Sequence, residues 1–496
     1  MRCALPFTTF FEQNAHCRYL VKMAKYPNRR ALLYGGLVHD QQPGALTFSM
    51  SLQSDVRATS AVAGASNIPE FAIPSLVNVN DYPAHQVDIP PSRMFIIKKS
   101  LEAYRTQFGA DAPTYDASQG DGGASLPGVP HAILDRANEL QKKQGTGYDQ
   151  PYGTDAFRKT TAEQYWQLDA ATGWGPINIA ATAGGRDALI KVYQAMTSLG
   201  TGRVGDAVIV SRVPWISYMW GMYGVGVNTL LAPGSADDGW AYNEDSLTEC
   251  VDFAKKNGDR RVAGLVITSP DNPTGNVISV ERQIELAHKA LDLGIPFVLF
   301  DWIYRWITTG EVANINTVLN AFTPAERDRL VFMDGLTKSI GASNIRGAHL
   351  VASKAVISFV NSRASHGIVP SFYSQAVAMA AYELGFGTAA ASIIEPTNKS
   401  REIMRTFLSE HGYRVIMGNG GYYAFINCAD AIARGGFKDS EGFGEWVAKQ
   451  YGVAVVPGIS FSKAGSDWVR FSYALPPEKT SKAIARFHEA FQAAGK

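Results

Sequence analysis

No run of eighteen apolar residues occurs in this chain of 496, so no membrane-spanning helix is predicted. An excess of charge of one sign is also missing. The 46 Lys and Arg against 45 Asp and Glu leave a net charge of +1, which gives no electrostatic reason to expect nucleic acid or an anionic membrane as partner. Cysteine is scarce: Cys3, Cys17, Cys250 and Cys428 are scattered without metal-ligand spacing. They predict free thiols in a reducing compartment, with no disulfide frame and no metal centre. A secretory signal is absent too, because Glu12 and Asn14 interrupt the short mixed run after Arg2. A cytoplasmic protein is expected. Neither an internal repeat nor a run of like charges is found.

What is present is enough apolar residue, 46%, for a large core, in a chain longer than one ordinary domain. Lys and Arg are missing from Ala58 to Pro90, where Pro, Ser, Ala, Val and Asn dominate. Residues 1–88 are read as an irregular arm that packs on a partner surface, with a short helix over Phe10–Lys25. From Val204 onward short apolar runs alternate with helical patterns. Ala207–Val210, Thr229–Leu231, Leu265–Ile267, Phe297–Phe300 and Leu330–Met333 read as strands, and Glu281–Leu291 as a helix with Ile284, Ala287 and Leu291 on one face. Such alternation predicts an α/β fold, a mostly parallel central sheet with helices on both faces. Past about Gly387 the strand-like Gly421–Ile426, Val453–Gly458 and Val469–Ser472 suggest a smaller α+β domain. The expected division is an arm over 1–88, a segment 89–150 that contributes to the small domain and substrate mouth, a large domain over 151–385 and a C-terminal small domain over 386–496.

The chemistry-bearing segments lie at strand ends, where sheets of this kind bind ligands. Lys338 follows the run Leu330–Met333, and a lysine there can lose hydration and become a usable amine nucleophile. Arg346 comes eight residues later. Asn272 sits in the turn after Val262–Thr268, Asp301 ends the run Pro296–Asp301 with Tyr304 three residues on, and Arg470 lies in Trp468–Ala474. Each has a plain reading alone: a surface lysine, an Asn-Pro-Thr-Gly turn, a helix cap, a strand arginine. The order Asn, Asp-x-x-Tyr, Lys, Arg, Arg on successive strand ends is hard to obtain by chance.

With that order, the chain from about Ile89 to its C-terminus resembles the fold type I pyridoxal phosphate enzymes, in the aspartate aminotransferase-like class I/II group. The resemblance implies a Schiff base between pyridoxal 5′-phosphate and Lys338, whose amine then acts as base. It implies Arg346 and Thr337 as phosphate ligands, completed by the glycine turn Gly184, Gly185 and Arg186 at a helix start. Gly335 departs from the serine common in relatives. Asp301 is implied as partner of the pyridine nitrogen, Tyr304 and Asn272 as partners of the phenolic oxygen, and Trp215 as the stacking aromatic, although the spacing around Pro214 differs from many relatives. Substrate recognition falls to Arg470, for the α-carboxylate, with Gly120 and Asn272 at the mouth. Tyr148 matches a tyrosine that reaches the neighbouring subunit's phosphate, so a homodimer with shared active sites is expected.

The expected reaction is transamination between an amino acid and a 2-oxo acid. The same residues also serve lyases and decarboxylases, which stay open as the alternative. A regulator with this domain as a sensor would carry a DNA-binding N-terminus. The first 90 residues hold seven Lys and Arg against six acids and no recognition-helix pattern, which counts against it.

Overall fold

A strand buried on both faces shows as an unbroken apolar run, because successive side chains point to opposite sides and both sides are dry. The runs singled out in the sequence are of this kind. The computed structural model describes residues 67–80, 89–91 and 94–496. The helix expected over Phe10–Lys25, and most of the arm expected over 1–88, lie outside the described residues.

Numbered along the chain, the first strands are β1 (Glu70–Phe71), β2 (Tyr115–Asp116), β3 (Ile179–Thr182), β4 (Ala207–Val210) and β5 (Asn228–Leu231). They are followed by β6 (Val262–Thr268), β7 (Val298–Asp301), β8 (Leu330–Gly335) and β9 (Ala348–Ala352). Among the described residues these build one eight-stranded sheet in the order β1-β5-β4-β6-β7-β8-β9-β3. The stretch from β5 to β8 is parallel, β9 runs antiparallel to both β8 and β3, and β1 is antiparallel to β5. The sheet is mostly parallel, as the alternation predicted.

Alternate residues separate into two cores. Val208, Val210, Val266, Leu299, Val331 and Met333 pack with Leu189 and Val192 of the helix Gly185–Ala195. Ile209, Leu265, Ile267, Phe300 and Phe332 pack with Leu286, Ala290 and Leu291 of the helix Val280–Asp292. Phe300 and Phe332, in register across β7 and β8, stack 4.7 Å apart. The second helix starts where Ser279 accepts the amide of Arg282 at 3.2 Å, a cap that fixes its first turn.

Later in the chain come β10 (Val415–Ile416), β11 (Tyr423–Asn427), β12 (Val453–Ala454), β13 (Val456–Pro457) and β14 (Trp468–Ser472). Four of them form an antiparallel sheet in the order β10-β11-β14-β13, while β12 pairs with β2. Cys250 and Cys428 are free and buried. No single helix among the described residues is long and apolar enough to cross a membrane.

Among its described residues, the segment read as an irregular arm contains one regular element, β1. Two buried polar side chains hold that segment, Arg212 just past β4 and Asn228 on β5. Arg212 donates to the Ile68 carbonyl at 2.9 Å and pairs with Glu70 at 3.2 Å. Asn228 accepts the Val77 amide at 2.9 Å and donates to the carbonyls of Val77 at 3.1 Å and Gly205 at 2.7 Å. Buried polar groups must be paired, and residues 67–80 supply the partners. At two residues, β1 is too short to show as a pattern. Replacing Asn228 with Ala leaves three backbone groups without that side chain, a cost of about 2–4 kcal/mol. Hydrogen exchange across residues 70–77 is expected to accelerate by roughly 30-fold or more, with little change in the helix Pro477–Ala493.

Candidate active site

Because β6, β7 and β8 are adjacent and parallel, whatever follows their carboxyl ends meets along one edge. Asn272 follows β6, Asp301 closes β7, and Lys338 lies in the short helix Leu336–Ser339 directly after β8. The helix Gly185–Ala195, which follows β3, brings its start to the same place. These elements enclose a cavity of about 390 Å³. Nine of the residues picked from the sequence line it: Gly185, Arg186, Trp215, Asn272, Asp301, Tyr304, Thr337, Lys338 and Arg346.

Asp301 is buried, and burial raises its carboxyl to about 6. The Tyr218 hydroxyl opposes that rise by donating to Asp301 Oδ2 at 2.5 Å, and the Ile303 amide donates to Oδ1 at 3.2 Å. Tyr218 is held in turn by Thr268 Oγ1 at 2.8 Å. Lys338 is half-buried and donates to the Gly120 carbonyl. Burial pushes its amine down to about 8; Asp121 acts against that, while Arg470, Arg186 and Arg346 add to it. A lysine near 8 is partly neutral at physiological pH and therefore nucleophilic.

The opposite end of the cavity is built for an anion. The helix Gly185–Ala195 has no side-chain cap at its start, so its first amides and its dipole are available. Gly184, at that start, has a φ of 87°, and a Cβ there would lie 2.6 Å from Arg346 Nη2. Only glycine allows this approach. Arg346 itself adopts a φ of 59°, a left-handed conformation uncommon for a residue with a side chain. It is braced by the carbonyls of Ser343 at 2.9 Å and Ala183 at 3.4 Å. The Thr337 hydroxyl is buried without a hydrogen-bond partner among the described residues. The serine that Gly335 replaces has no space here: a Cβ would stand 2.7 Å from that of Ala348.

Arg470, on β14, comes from the smaller sheet. It donates to Asn272 Oδ1 at 2.8 Å and to the Ser118 carbonyl at 2.7 Å, and its Nε is buried with no partner among the described residues. Tyr148 is not brought to the cavity; its side chain is wholly exposed. Trp215 lies at the cavity wall, edge-on to Tyr218 at 5.5 Å, with the Arg186 guanidinium 5.5 Å from its ring.

Several lining residues were not picked from the sequence as site residues. Tyr218 lies three positions beyond Trp215, the step that shares a helix face, and this was the signal available. Asp121 is the neighbour of Gly120; its carboxylate accepts the Ser343 hydroxyl at 2.6 Å. Outside the lining itself, Tyr423, which donates to or accepts from Tyr304 Oη at 2.7 Å, gave no signal.

A family model described as aminotransferase class I and II matches residues 116–487. An aspartate aminotransferase from Geobacillus stearothermophilus is 24% identical over 374 residues, 74% of this chain and 88% of that one. An aromatic-amino-acid aminotransferase from Thermococcus litoralis is 25% identical over 385 residues, 76% of this chain and 93% of its own. A solved double mutant of the Thermus thermophilus aspartate aminotransferase superposes with a TM-score of 0.69 at 22% identity, covering 82% of this chain and 98% of that one. With three quarters of its length matched by that family's pattern, the chain belongs to the class I and II aminotransferases.

Proposed function

We propose that the chain transfers an amino group from an amino acid to a 2-oxo acid with pyridoxal 5′-phosphate, the cofactor of its family. The observation that carries this reading is the pairing, in one cavity, of an amine held near 8 at Lys338 with the buried carboxylate of Asp301. The residues present fit the cofactor. The uncapped helix start, Arg346 and the unpartnered Thr337 hydroxyl suit a phosphate dianion. The buried carboxylate suits a protonated ring nitrogen, and Trp215 offers an aromatic face.

When bound, pyridoxal phosphate supplies an aldehyde carbon that takes up the amine and a ring that accepts electron density from the substrate Cα. The chain's own groups do the rest. Asp301, kept ionised by Tyr218, holds the proton on the ring nitrogen. Tyr304 and Asn272 hydrogen-bond the phenolic oxygen. Arg470, with its spare Nε, binds the substrate α-carboxylate and fixes the substrate's orientation. Lys338 Nζ moves the proton at the substrate Cα. The Lys338 and Gly120 pairing and the Asp121 charge keep that amine at the substrate side of the cavity.

We place the protein in the cytoplasm as a homodimer. The buried free thiols agree with a reducing compartment. The wholly exposed Tyr148 agrees with a residue that completes the partner's phosphate site. On this reading residues 89–150 and 386–496 form the smaller domain, joined through the β2 and β12 pair.

The test is the visible spectrum of the purified protein as amino acids are added one at a time. A yellow band should fade with a suitable donor and return with a 2-oxo acid. Release of ammonia or carbon dioxide instead would favour a lyase or a decarboxylase. Lys338→Ala is expected to abolish the yellow band and to lower turnover by at least about 10³-fold. Arg470→Lys keeps the charge but loses the fork, so kcat/KM should fall by about 10- to 100-fold with the band retained. In the apoprotein, reductive methylation of Lys338 should rise with pH through a midpoint near 8, since only the neutral amine reacts. Removing the Asp121 charge in Asp121→Asn should move that midpoint lower, because the carboxylate favours the protonated amine.

A further inference from the structure

Tyr423 is a buried side chain that touches both Tyr304 and Arg470 without having a role in the reading above. It opens β11, in the smaller sheet, and its hydroxyl crosses to the large sheet's edge to meet Tyr304 Oη at 2.7 Å. In β11 alternate residues share a face, so Tyr423 and Phe425 lie together, and Phe425 is in register with Arg470 on β14. The Arg470 guanidinium accordingly sits 4.4 Å from the Tyr423 ring centre. Gly120, whose carbonyl takes the Lys338 amine, closes the remaining side. A Cβ there would fall 2.0 Å from Tyr423 Oη, so the hydroxyl occupies space that a side chain at residue 120 would need.

We propose that Tyr423 is a positioning residue that fixes the proton on the Tyr304 phenol, by donating its own hydroxyl hydrogen to Tyr304 Oη. Either hydroxyl can donate across the 2.7 Å contact, and the surroundings of Tyr304 Oη favour Tyr423 as the donor. Asn272 Nδ2 approaches the same oxygen at 3.5 Å and is a donor only, and Asn272 Oδ1 is taken by Arg470. With Tyr423 also donating, the Tyr304 hydrogen is left for a ligand oxygen in the cavity. A hydroxyl that accepts a hydrogen bond becomes a better donor in the one it makes, and the effect is larger in a dry site. Tyr423 thereby strengthens the bond that Tyr304 gives to the phenolic oxygen of the cofactor. This rests on the assignment of Tyr304 to that oxygen.

The charged and titratable groups facing the pair are Lys338, whose Nζ is 5.7 Å from the Tyr304 ring centre, Arg470, Tyr422, Tyr473 and Asp121. Tyr423→Phe alters none of them. It keeps the ring beneath Arg470 and removes only one hydroxyl.

The experiment uses holoenzyme of the parent chain, Tyr423→Phe and Gly120→Ala, with the visible absorption of the bound cofactor recorded as a function of pH. Weakening a bond to the anionic oxygen disfavours the deprotonated chromophore. The midpoint in Tyr423→Phe is therefore expected about half a unit to one unit above the parent. KM for the amino donor should stay within about two-fold, because Arg470 keeps its surroundings. Gly120→Ala, which pushes the hydroxyl aside while leaving Tyr423 in the sequence, is expected to shift the midpoint the same way. A Tyr423→Phe midpoint equal to the parent's overturns the positioning role and leaves the aminotransferase reading standing. A parent chain that binds no chromophore overturns both.

Discussion

A carboxylate loses several kcal/mol of hydration when it is taken out of water, and that loss has to be matched by groups aimed at it. Asp301, at the end of β7, is where this chain meets the requirement. Tyr218 comes to it from the helix Ile216–Tyr223, the Ile303 amide from its own turn, and Thr268 on β6 holds Tyr218 in place. Much of the geometry around the cavity follows. Tyr218 must enter from above the strand ends, so its helix starts there with Trp215 at the wall. Lys338 must share the cavity with a carboxylate, yet stay close enough to neutral to react. Burial keeps its amine low against the pull of Asp121, and the three arginines near it add to that.

Alternation along β8 has a second effect. Met333 faces the cavity, and Asp334, the next residue, points into the other core. There it accepts from Tyr165 Oη at 2.5 Å and Arg305 Nε at 3.1 Å, and the Arg305 guanidinium lies 4.1 Å from the Trp166 ring centre. A buried pair of this kind is weak evidence for stability. What it does here is anchor the turn that follows β7, since Arg305 directly follows Tyr304. The Tyr304 phenol is thus placed from both sides of the sheet, by the ion pair beneath and by Tyr423 above.

The parts of this site legible in the sequence were those that a single segment announces. Asn272, Asp301 and Lys338 each sit just past an apolar run, so a strand-end argument finds them without knowledge of contacts. Gly184 and Arg346 came from spacing in the family's pattern, and the structure adds the physical reason: one is a glycine because the other needs its space. What stayed hidden lies between segments. Tyr423 is 119 residues from Tyr304, and before folding it is one more aromatic in a strand of the smaller sheet. Gly335 could be read only as a missing hydroxyl; the reason is Ala348 on the neighbouring strand. The strand β1 was hidden differently, because two residues carry no periodicity and they pair with Leu230 and Leu231, far along the chain.

That short strand also changes what the sheet presents to other molecules. An open parallel edge displays a row of amides and carbonyls that any extended chain can pair with, which is how sheets recruit copies of themselves. Here the outer side of β5 is taken by Glu70, Phe71 and the amide of Ala72. The covering strand is bounded by Pro69 and Pro74, neither of which has an amide hydrogen to offer a newcomer. Residues 69–74 thus leave the outer side of β5 closed to pairing by another extended chain.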